Sequence, residues 1–500
     1  MNKLKLNPTS ISFLPILVFI PLAYQLIINL HFGGLNLFKD FIISAFNPEI
    51  NNEIFTTLIK RLNETILISF SAWLISILFG VVFGILSSNI FSKIINIPLF
   101  FKSIIKLFLT IIRSINEIIW GLILMQLYGI NFSVGIIAIS IPYIAINAKV
   151  FSEQLDDIDL RSFESIRQIN GLNFSSLITL IWNPIIITFN NFGVYQLECS
   201  IRSTVILGLF GIGGIGTNIF LSFQTLNFRE LWTYLWGLGL LIIFSKEIFK
   251  KIKFIKPNLN QSIFLIIFIL IVIFSSFSYF IYFIFNNNLA NNHYINTLFA
   301  SKSDLIYFDF LKLILQTIIL CLLSTGIAIS LPPFCLLILN NNIGRVIIRC
   351  ISFLLRLIPP PILILVLLNF NYPSISLAAL TLGLHNSGIT AKLLLTNLYS
   401  QDNKNYFAIK SLGVPKRTSW LFGLFIKQAK SYLAYCAYRS DIIIRETAVV
   451  GVVGSIGLGW QLKESLSSFA WREVLIILIA YSSIAIVGEL INDKIKSSLT

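Results

Sequence analysis

Long apolar stretches separated by short polar segments make up most of this chain. A helix that crosses a bilayer needs about 20 consecutive apolar residues, and many of these stretches come near that length. The candidates are residues 12–30, 65–89, 104–127, 134–148, 176–200, 231–249, 262–285, 313–339, 346–369, 375–391, 419–442 and 473–491. The pattern predicts an all-α, polytopic membrane protein with about twelve transmembrane helices, two of which, 134–148 and 375–391, are short.

The composition agrees with a membrane location. Of 500 residues, 56% are hydrophobic and only 12% are charged, whereas a soluble domain carries about 25% charged residues. The 37 Lys and Arg against 22 Asp and Glu give a net charge of +15, but these cations are scattered between apolar stretches instead of forming a soluble basic domain. We therefore exclude soluble enzymes and DNA-binding proteins. We interpret the positive charge as a feature of a membrane protein.

The distribution of cations predicts the orientation of the chain, because cytoplasmic loops of membrane proteins are enriched in Lys and Arg. With a cytoplasmic N-terminus, the predicted cytoplasmic segments hold 22 Lys and Arg and the opposite segments hold 10. We expect both termini in the cytoplasm and the first apolar stretch to be a helix, not a cleaved signal peptide. The densest cluster comprises Lys246, Lys250, Lys251, Lys253 and Lys256, and it makes 246–257 a predicted cytoplasmic linker.

The sequence repeats itself after 243 residues. Residues 202–216 (RSTVILGLFGIGGIG) align without a gap with residues 445–459 (RETAVVGVVGSIGLG). This similarity predicts a tandem duplication, with a first repeat at 1–257, which includes the basic linker, and a second at 258–500. Each repeat has six predicted helices, an even number, so we expect two parallel six-helix repeats with a pathway able to form at their interface.

Both copies place an acid four residues before an arginine, inside or beside a predicted membrane helix. The pairs are Glu198 with Arg202 and Asp441 with Arg445, and this spacing puts each pair on one helix face. A charge at bilayer depth is costly and should face a partner or a water-filled path. Two readings stay open, either neutralised structural ion pairs or arginines that help an anion to pass. The same readings apply to Arg113, to its counterpart Arg356, and to Arg439, which has no counterpart.

Each copy also carries a run of glycines directly after its arginine. The positions are Gly208, Gly211, Gly214 and Gly216 in the first copy and Gly451, Gly454, Gly457 and Gly459 in the second. Glycine suits points where the backbone must turn or where helices touch closely. Gly211, Gly213 and Gly216 match the dinucleotide pattern G-x-G-x-x-G, but neither a βαβ unit nor a suitably spaced acid supports it. There is no Gly-Lys dipeptide and hence no P-loop, so any ATP must be bound by another chain.

Two predicted cytoplasmic loops, 151–175 and 394–418, each contain a short amphipathic stretch that ends in glycine. The residues of interest are Glu164, Ile166, Arg167 and Gly171 in the first loop and Ala408, Lys410 and Gly413 in the second. A short helix with one apolar face suits a groove on a partner protein. The alternative is a helix that lies on the lipid interface.

At these residues the sequence resembles the permease subunits of binding-protein-dependent ABC importers, most closely those of phosphonate importers. The family's ATPase-docking motif, Glu-Ala-Ala-x3-Gly-x9-Ile-x-Leu-Pro, is kept in part, since Ile181 and Pro184 follow Gly171. The family's Glu-x3-Arg segment with its glycines is similar to the segment that begins at Glu198. The resemblance implies an inner-membrane permease without catalytic residues, metal or cofactor, which works with a cytoplasmic ABC ATPase dimer and a periplasmic substrate-binding protein.

The sequence thus predicts the permease of an ATP-driven importer of phosphonates or a related phosphorus oxyanion, with Arg202 and Arg445 foremost among its pathway candidates. Phosphite, phosphate and methionine permeases share much of the pattern, so the compound carried stays open. The alternative is an ion-gradient-driven secondary transporter of an anionic solute, for which Glu117 and Glu198 are the few candidate coupling residues. A membrane-embedded enzyme would need a nucleophile, base or metal cluster, and the scattered cysteines and histidines form no such pattern.

Overall fold

The helices of the chain group into two units by their contacts. A computed structural model describes residues 14–89, 98–156, 192–254, 307–339, 341–400, 404–454 and 456–499, together with residues 12 and 92. The first unit is Ser44–Asn296, and the second unit is Met1–Ile43 with Thr297–Thr500. Within the described ranges every regular element is a helix, apart from an isolated β-bridge between Leu30 and Asn371. The predicted all-α class is confirmed.

The helices follow one another with short connections. Helices α1 (Phe19–Ile28) and α2 (Leu35–Ser44) form the N-terminal segment. The first unit contains α3 (Asn52–Ser87), α4 (Leu99–Ser114), α5 (Glu117–Tyr128), α6 (Phe132–Asp156), α7 (Val194–Gly208), α8 (Ile215–Gln224) and α9 (Phe228–Phe254). The second unit contains α10 (Tyr307–Ile338), α11 (Asn342–Leu357), α12 (Pro360–Leu368), α13 (Ile375–Ser400), α14 (Lys404–Ser411), α15 (Lys416–Trp420), α16 (Ile426–Gly454), α17 (Gly457–Ser467) and α18 (Trp471–Leu499). A π-helical turn, Leu421–Phe425, joins α15 to α16.

Several of these helices are long and apolar enough to cross a membrane. Among the described residues they are Asn52–Ser87, Phe132–Asp156, Phe228–Ile248, Asp309–Ile338 and Trp471–Asn492, and three bent helix pairs raise the possible number of spans from 5 to 8. The chain is therefore a multi-pass membrane protein. The predicted helix 262–285 and much of the predicted helix 176–200 lie outside the described residues, so the number twelve stays a prediction.

Two predicted spans are not straight helices. The stretch 104–127 is split between α4 and α5, which meet at 85°, and the stretch 346–369 is split between α11 and α12, which meet at 93°. In the first, Asn116 is extended and its side chain accepts the Ile118 N–H, which starts a new helix. In the second, Pro359 and Pro360 remove backbone donors and hold the preceding residue extended. The even helix number behind the parallel repeat thus depends on these bent pairs crossing the membrane.

The N-terminal segment packs within the second unit. Leu22 of α1 is buried against Ile327 of α10 and Ala379 of α13. The backbone then pairs with the loop after α12, since the His31 N–H donates to the Phe370 oxygen at 2.9 Å. The sequence boundary between the repeats, at residue 257, lies outside the described residues and stays a prediction.

The main contact of the first unit is the crossing of α3 and α6. A Cβ added to Gly80 would lie 2.5 Å from the Asn147 Cβ, and one added to Gly84 would lie 2.8 Å from the Phe151 Cβ. Membrane helices approach this closely where small residues line the contact. The two glycines, four residues apart on α3, therefore set the spacing of α3 and α6.

The helix boundaries recur 243 residues apart. Adding 243 to the bounds of α4 gives those of α11, and the starts of α6 and α9 are related to the starts of α13 and α18 in the same way. Leu226 and Phe469, also 243 apart, have φ values of 56° and 55°, which are uncommon for residues other than glycine. The tandem duplication stays a prediction, with which these recurrences agree.

A glycine turn follows α7 in the first unit and α16 in the second. Gly214 and Gly457 have φ values of 76° and 62°, which favour glycine. The next helix is then fixed to the long membrane helix of its unit by a threonine. The Ile215 N–H donates to the Thr65 Oγ1 at 2.9 Å, and the Leu458 N–H donates to the Thr317 Oγ1 at 3.1 Å.

Gly459→Ala should destabilise the second unit. A Cβ at this position would lie 2.6 Å from the Ala448 oxygen and 2.9 Å from the Gly451 Cα, both of which are backbone atoms. The two helices would have to separate, at a cost of about 1–3 kcal/mol, measurable as a lower melting temperature by fluorescence-detected size-exclusion chromatography in detergent.

The matched control is Gly33→Ala in the same unit, where the nearest atom to an added Cβ, the His31 Nδ1, is 3.9 Å away. We expect this variant to melt like the wild type. Equal melting temperatures for the two variants would show that the close contact at Gly459 is not required.

Candidate functional site

The predicted acid–arginine pair of the first unit is formed and is part of a larger cluster. The Arg202 Nη2 lies 2.5 Å from the Glu198 Oε1, and the other carboxylate oxygen, Oε2, lies 2.6 Å from the Lys246 Nζ. Lys246 belongs to the basic cluster that the sequence assigned to a cytoplasmic linker, but it lies within α9. One buried carboxylate therefore contacts two cations, and the three side chains together carry a charge of +1.

The second unit contains the equivalent acid–arginine pair on α16. The Arg445 Nη2 lies 2.8 Å from the Asp441 Oδ2, and both side chains are largely buried. The spacing of four residues brings acid and base together on α16, as it does on α7 in the first unit. Each pair stands on the helix that leads into the glycine turn of its unit.

Arg439 belongs to a second buried ion pair on α16. Its Nη2 lies 2.9 Å from the Glu446 Oε1, and its Nε donates to the Asn386 Oδ1 of α13. The Asn386 Nδ2 in turn donates to the Glu446 Oε2 at 2.7 Å, which closes a ring of three side chains. Only 5% of the Arg439 side chain is exposed, so Glu446 and Asn386 keep this charge compensated inside the unit.

The sequence analysis missed Glu446 and Asn386, and the equivalent positions of the first unit explain why. The offset of 243 relates these residues to Ser203 and Tyr143, which carry no charge. The same interhelical contact is nevertheless present there, because the Tyr143 and Ser203 hydroxyls lie 2.7 Å apart. Glu446 could have been identified from the sequence as a charged residue within an apolar stretch.

Glu117 adds a negative charge beside the Tyr143–Ser203 contact of the first unit. The Ser203 Oγ donates to its Oε1 at 2.6 Å. Glu117 is also the first residue of α5, where the helix dipole favours an anion. The two units therefore hold different charges at one equivalent place, a carboxylate in the first and an arginine–glutamate pair in the second.

Arg113 and Arg356 lie in the last turns of α4 and α11, next to the bends. Both are buried, and the Arg356 Nε donates to the Ser352 oxygen one turn earlier at 3.0 Å. Their side chains therefore sit at the depth where each bent pair changes direction. Both readings of these arginines, structural and pathway, stay open.

The predicted docking loop of the second unit packs compactly on the start of α16. Trp420 stacks on Phe425 at a centroid distance of 5.3 Å, and both are fully buried. A Cβ on Gly423 would lie 2.8 Å from the Tyr406 Cα, so α14 lies directly on the π-helical turn. Gly413 has a φ of 80° and closes the segment between α14 and α15.

The exposed side of this segment is apolar at its tip. Phe407 is 59% exposed and Leu412 is 80% exposed, while Lys410 lies over the Tyr406 ring at 6.0 Å. Ala408 lies between them on α14. We call Lys404–Gly413 the docking segment. Its predicted counterpart in the first loop, with Glu164, Ile166, Arg167, Gly171 and Pro184, lies outside the described residues.

Known proteins that resemble this chain are transport permeases. It is 31% identical over 147 residues to HtxE of Stutzerimonas stutzeri, a permease named for a phosphite transport system. It is 22% identical over 173 residues to the phosphite transport system permease protein PtxC of the same organism. These matches cover 29% and 35% of this chain and only 56% and 62% of the two relatives.

A third relative aligns along most of the chain. The phosphate-import permease protein PhnE of Mycolicibacterium smegmatis is 21% identical over 432 residues, which cover 80% of this chain and 78% of the relative. The chain is related to the permease subunits of phosphonate-type ABC importers. Each unit contains about half of the chain, so an alignment that covers 80% of the chain includes parts of both units. No family model and no solved structure matches the chain.

Glu446→Gln should destabilise the protein more than the same substitution at an exposed glutamate. It leaves the Arg439 charge buried without its carboxylate, a loss that typically costs about 3–5 kcal/mol. The expected result is lower abundance in the membrane and a lower melting temperature in detergent. The double variant Arg439→Gln with Glu446→Gln removes both charges and should recover most of the loss.

Glu464→Gln supplies the control, because this glutamate is exposed in the same unit. It should leave abundance and melting temperature unchanged. A Glu446→Gln protein as stable as this control would contradict a stabilising role for the buried pair.

Proposed function

We propose that this chain is the transmembrane permease of an ATP-driven, binding-protein-dependent importer that carries phosphonates or a related phosphorus oxyanion across the inner membrane. The observation that carries the proposal is the acid–arginine pair held directly before a glycine turn in both units, in a chain related to phosphonate-type permeases. On this proposal the chain performs no covalent chemistry. ATP is hydrolysed by a separate ABC ATPase dimer in the cytoplasm, and a periplasmic protein delivers the substrate.

The charges around the arginines suit weak binding of an anion. Arg202 and Arg445 are each held by a carboxylate on the same helix, so their charges are fixed in position and partly compensated. A site that conducts must attract its solute and also release it. The extra cation of the first cluster, Lys246, leaves a net positive charge beside Arg202, which favours an oxyanion over a neutral solute.

The docking segment supports a cytoplasmic protein partner. Exposed apolar side chains on a short, tightly supported helix and on the turn after it fit a groove on another protein, and the aromatic core beneath holds them in place. The predicted orientation puts this segment in the cytoplasm with both termini, which is the side where an ABC ATPase has access to ATP. We infer that the ATPase binds here and at the corresponding loop of the first repeat.

The docking segment is also joined to the buried charges by one helix. Helix α16 starts directly after the π-helical turn and runs for 29 residues to Gly454, about 43 Å at 1.5 Å per residue. It carries Arg439, Asp441 and Arg445 along its length. A movement of the docking segment on the ATPase would therefore shift these charges as one body.

Leu412→Asp should prevent co-purification of the ATPase without reducing the amount of permease in the membrane. The side chain is 80% exposed, so the charge costs little in folding but cannot enter an apolar groove. The matched control is Ser467→Asp, an exposed position beyond the far end of α16, which should retain the ATPase. Wild-type recovery of the ATPase with Leu412→Asp would instead favour a lipid-facing role for the segment.

The proposed activity is tested by uptake into proteoliposomes that contain the permease with its ATPase and binding protein. We expect accumulation of labelled phosphite or phosphonate that requires ATP, is blocked by vanadate and is unaffected by a protonophore. Uptake without ATP that collapses with the protonophore would instead identify a secondary transporter.

In the same assay, the triple variant Glu198→Gln, Arg202→Gln and Lys246→Gln and the double variant Asp441→Gln with Arg445→Gln separate the two readings of the arginines. Neither leaves an unpaired charge, so a structural pair should keep both abundance and transport. A pathway role predicts normal abundance with at least about a fivefold loss of uptake. Lys149→Gln with Glu153→Gln, an ion pair of the same spacing on α6, is the control, and full transport by both test variants would exclude the pathway role.

A further inference from the structure

Helices α4 and α11 carry the same row of three cations. The row is Lys102, Lys106 and Arg113 on α4 and Arg345, Arg349 and Arg356 on α11, each pair separated by 243 residues. Neither helix contains an acidic residue. Only the last cation of each row was a candidate from the sequence. Lys102 and Arg345 stand before the predicted helices 104–127 and 346–369, and Lys106 and Arg349 stand in their first turns.

Helical geometry puts each row on one face. At about 100° per residue, positions i, i+4 and i+11 fall within roughly 40° of one another. The large exposed apolar residues of α4 lie on the opposite side and include Phe100, Ile104, Leu107 and Ile111. Lys102 is 8% exposed, Arg113 is 8% exposed and Arg356 is 9% exposed. Lys102, Arg113 and Arg356 therefore point into the protein, away from this apolar side.

The first two lysines of the α4 row meet at one oxygen. The Nζ atoms of Lys102 and Lys106 donate to the Asn89 Oδ1 at 2.6 and 3.3 Å. Asn89 is itself fixed, because its N–H and its Nδ2 donate to the Asp156 carboxylate at 2.6 and 2.7 Å. Two like charges that share a neutral oxygen repel each other, and an anion that approached both would offset part of this repulsion.

The α11 row is accommodated by a glycine. Gly388 of α13 packs against it, and a Cβ there would lie 3.2 Å from the Arg356 Cγ. The equivalent position on α6 is Ala145, which packs against α4 in the first unit. Glycine, the smaller residue, therefore lies opposite α11, in which all three cations are arginine. Alanine lies opposite α4, in which two of the three cations are lysine. Arg345 is half-buried and Arg349 is exposed, as Lys106 is in the other row.

We propose that these two rows are oxyanion-binding tracks for the transported phosphorus compound, one in each unit. This inference rests on the proposed function. Each row extends over eleven residues, about 16 Å, from the bend at the end of α4 or α11 back to the start of that helix. The start of α4 lies beside the ends of α3 and α6, where the chain enters the first docking loop, so the track leads toward the cytoplasmic side.

The spacing of the cations suits stepwise transfer. Neighbouring cations are one or two helical turns apart, so a tetrahedral oxyanion can contact the next before it leaves the last. Several weak sites in series allow both entry and release. A lipid phosphate has the same chemistry, but the burial of Lys102, Arg113 and Arg356 on the side away from the exposed apolar residues favours a soluble anion.

The test uses the two exposed members of the rows, because their replacement should not disturb folding. Lys106→Gln and Arg349→Gln are assayed with the complete importer in phosphatidylcholine proteoliposomes, with phosphite as the probe. We expect each to lower the uptake rate about fivefold, whereas Lys106→Arg keeps most of it. The controls are Lys60→Gln and Lys427→Gln, exposed cations of the first and second units outside the rows, which should transport like the wild type.

A second readout separates charge attraction from a structural effect. Lys and Arg stay protonated across the pH range of the assay, so the charge of phosphite changes while the charge of the rows does not when uptake is compared below and above its second pKa. Relative to the controls at the same pH, the loss in Lys106→Gln and Arg349→Gln should be greater for the dianion than for the monoanion. An equal loss for both forms would contradict a track that acts by charge.

The outcomes distinguish this proposal from the proposed function. If the wild type accumulates phosphite and both row variants do the same at the control rate, the tracks are excluded while the import function stands. If the wild type shows no ATP-dependent uptake of phosphite, phosphonate or phosphate, the import function fails and the tracks fail with it. If the variants are defective only when phosphatidylglycerol replaces part of the phosphatidylcholine, the ligand is a lipid headgroup and the pathway role is overturned.

Discussion

A charged side chain inside a bilayer has to be compensated by a partner or by water, and this constraint orders the interior of both units. Glu198 holds two cations, Asp441 holds Arg445, and Glu446 with Asn386 holds Arg439. The side chains of Glu198, Asp441, Glu446 and their arginines are largely buried. If the proposed function is correct, the same charges that need compensation for folding are those that an oxyanion can approach during transport.

The backbone supplies the geometry for these charges. The turns after α7 and α16 need glycine both for a positive φ, at Gly214 and Gly457, and for close backbone contact, at Gly216 and Gly459. A threonine on the long membrane helix then binds the first N–H groups of the following helix in each unit. The ion pairs lie on the helices that lead into these turns.

The two units are alike in backbone and unlike in charge. Tyr143 and Ser203 in the first unit make the contact that Asn386 and Glu446 make in the second, so one interhelical hydrogen bond is kept while its chemistry differs. A homodimer would have to place identical side chains at these two places. A single chain with two repeats can give each unit its own charges, which allows an asymmetric environment for the solute.

The sequence by itself determined the helical membrane class, the repeat of 243 residues, and the contacts within one helix. Glu198 with Arg202 and Asp441 with Arg445 were predictable because a spacing of four residues joins side chains on any helix. About half of the candidate site follows from such local rules, and the glycine runs show where the backbone turns. The first docking loop, which lies outside the described residues, stays a prediction from the same rules.

Tertiary structure alone decided the contacts between helices. Lys246 reaches Glu198 from a helix that is 48 positions away in sequence, Glu446 meets Asn386 across 60 positions, and the N-terminal segment packs with the second unit. Apolar periodicity could not show the bends after Ser114 and Leu357 either, because an apolar run has the same composition whether its helix is straight or broken. Hydropathy measures only the preference of each residue for lipid or water, whereas partner choice depends on which helix faces pack together, and that is fixed by the whole fold.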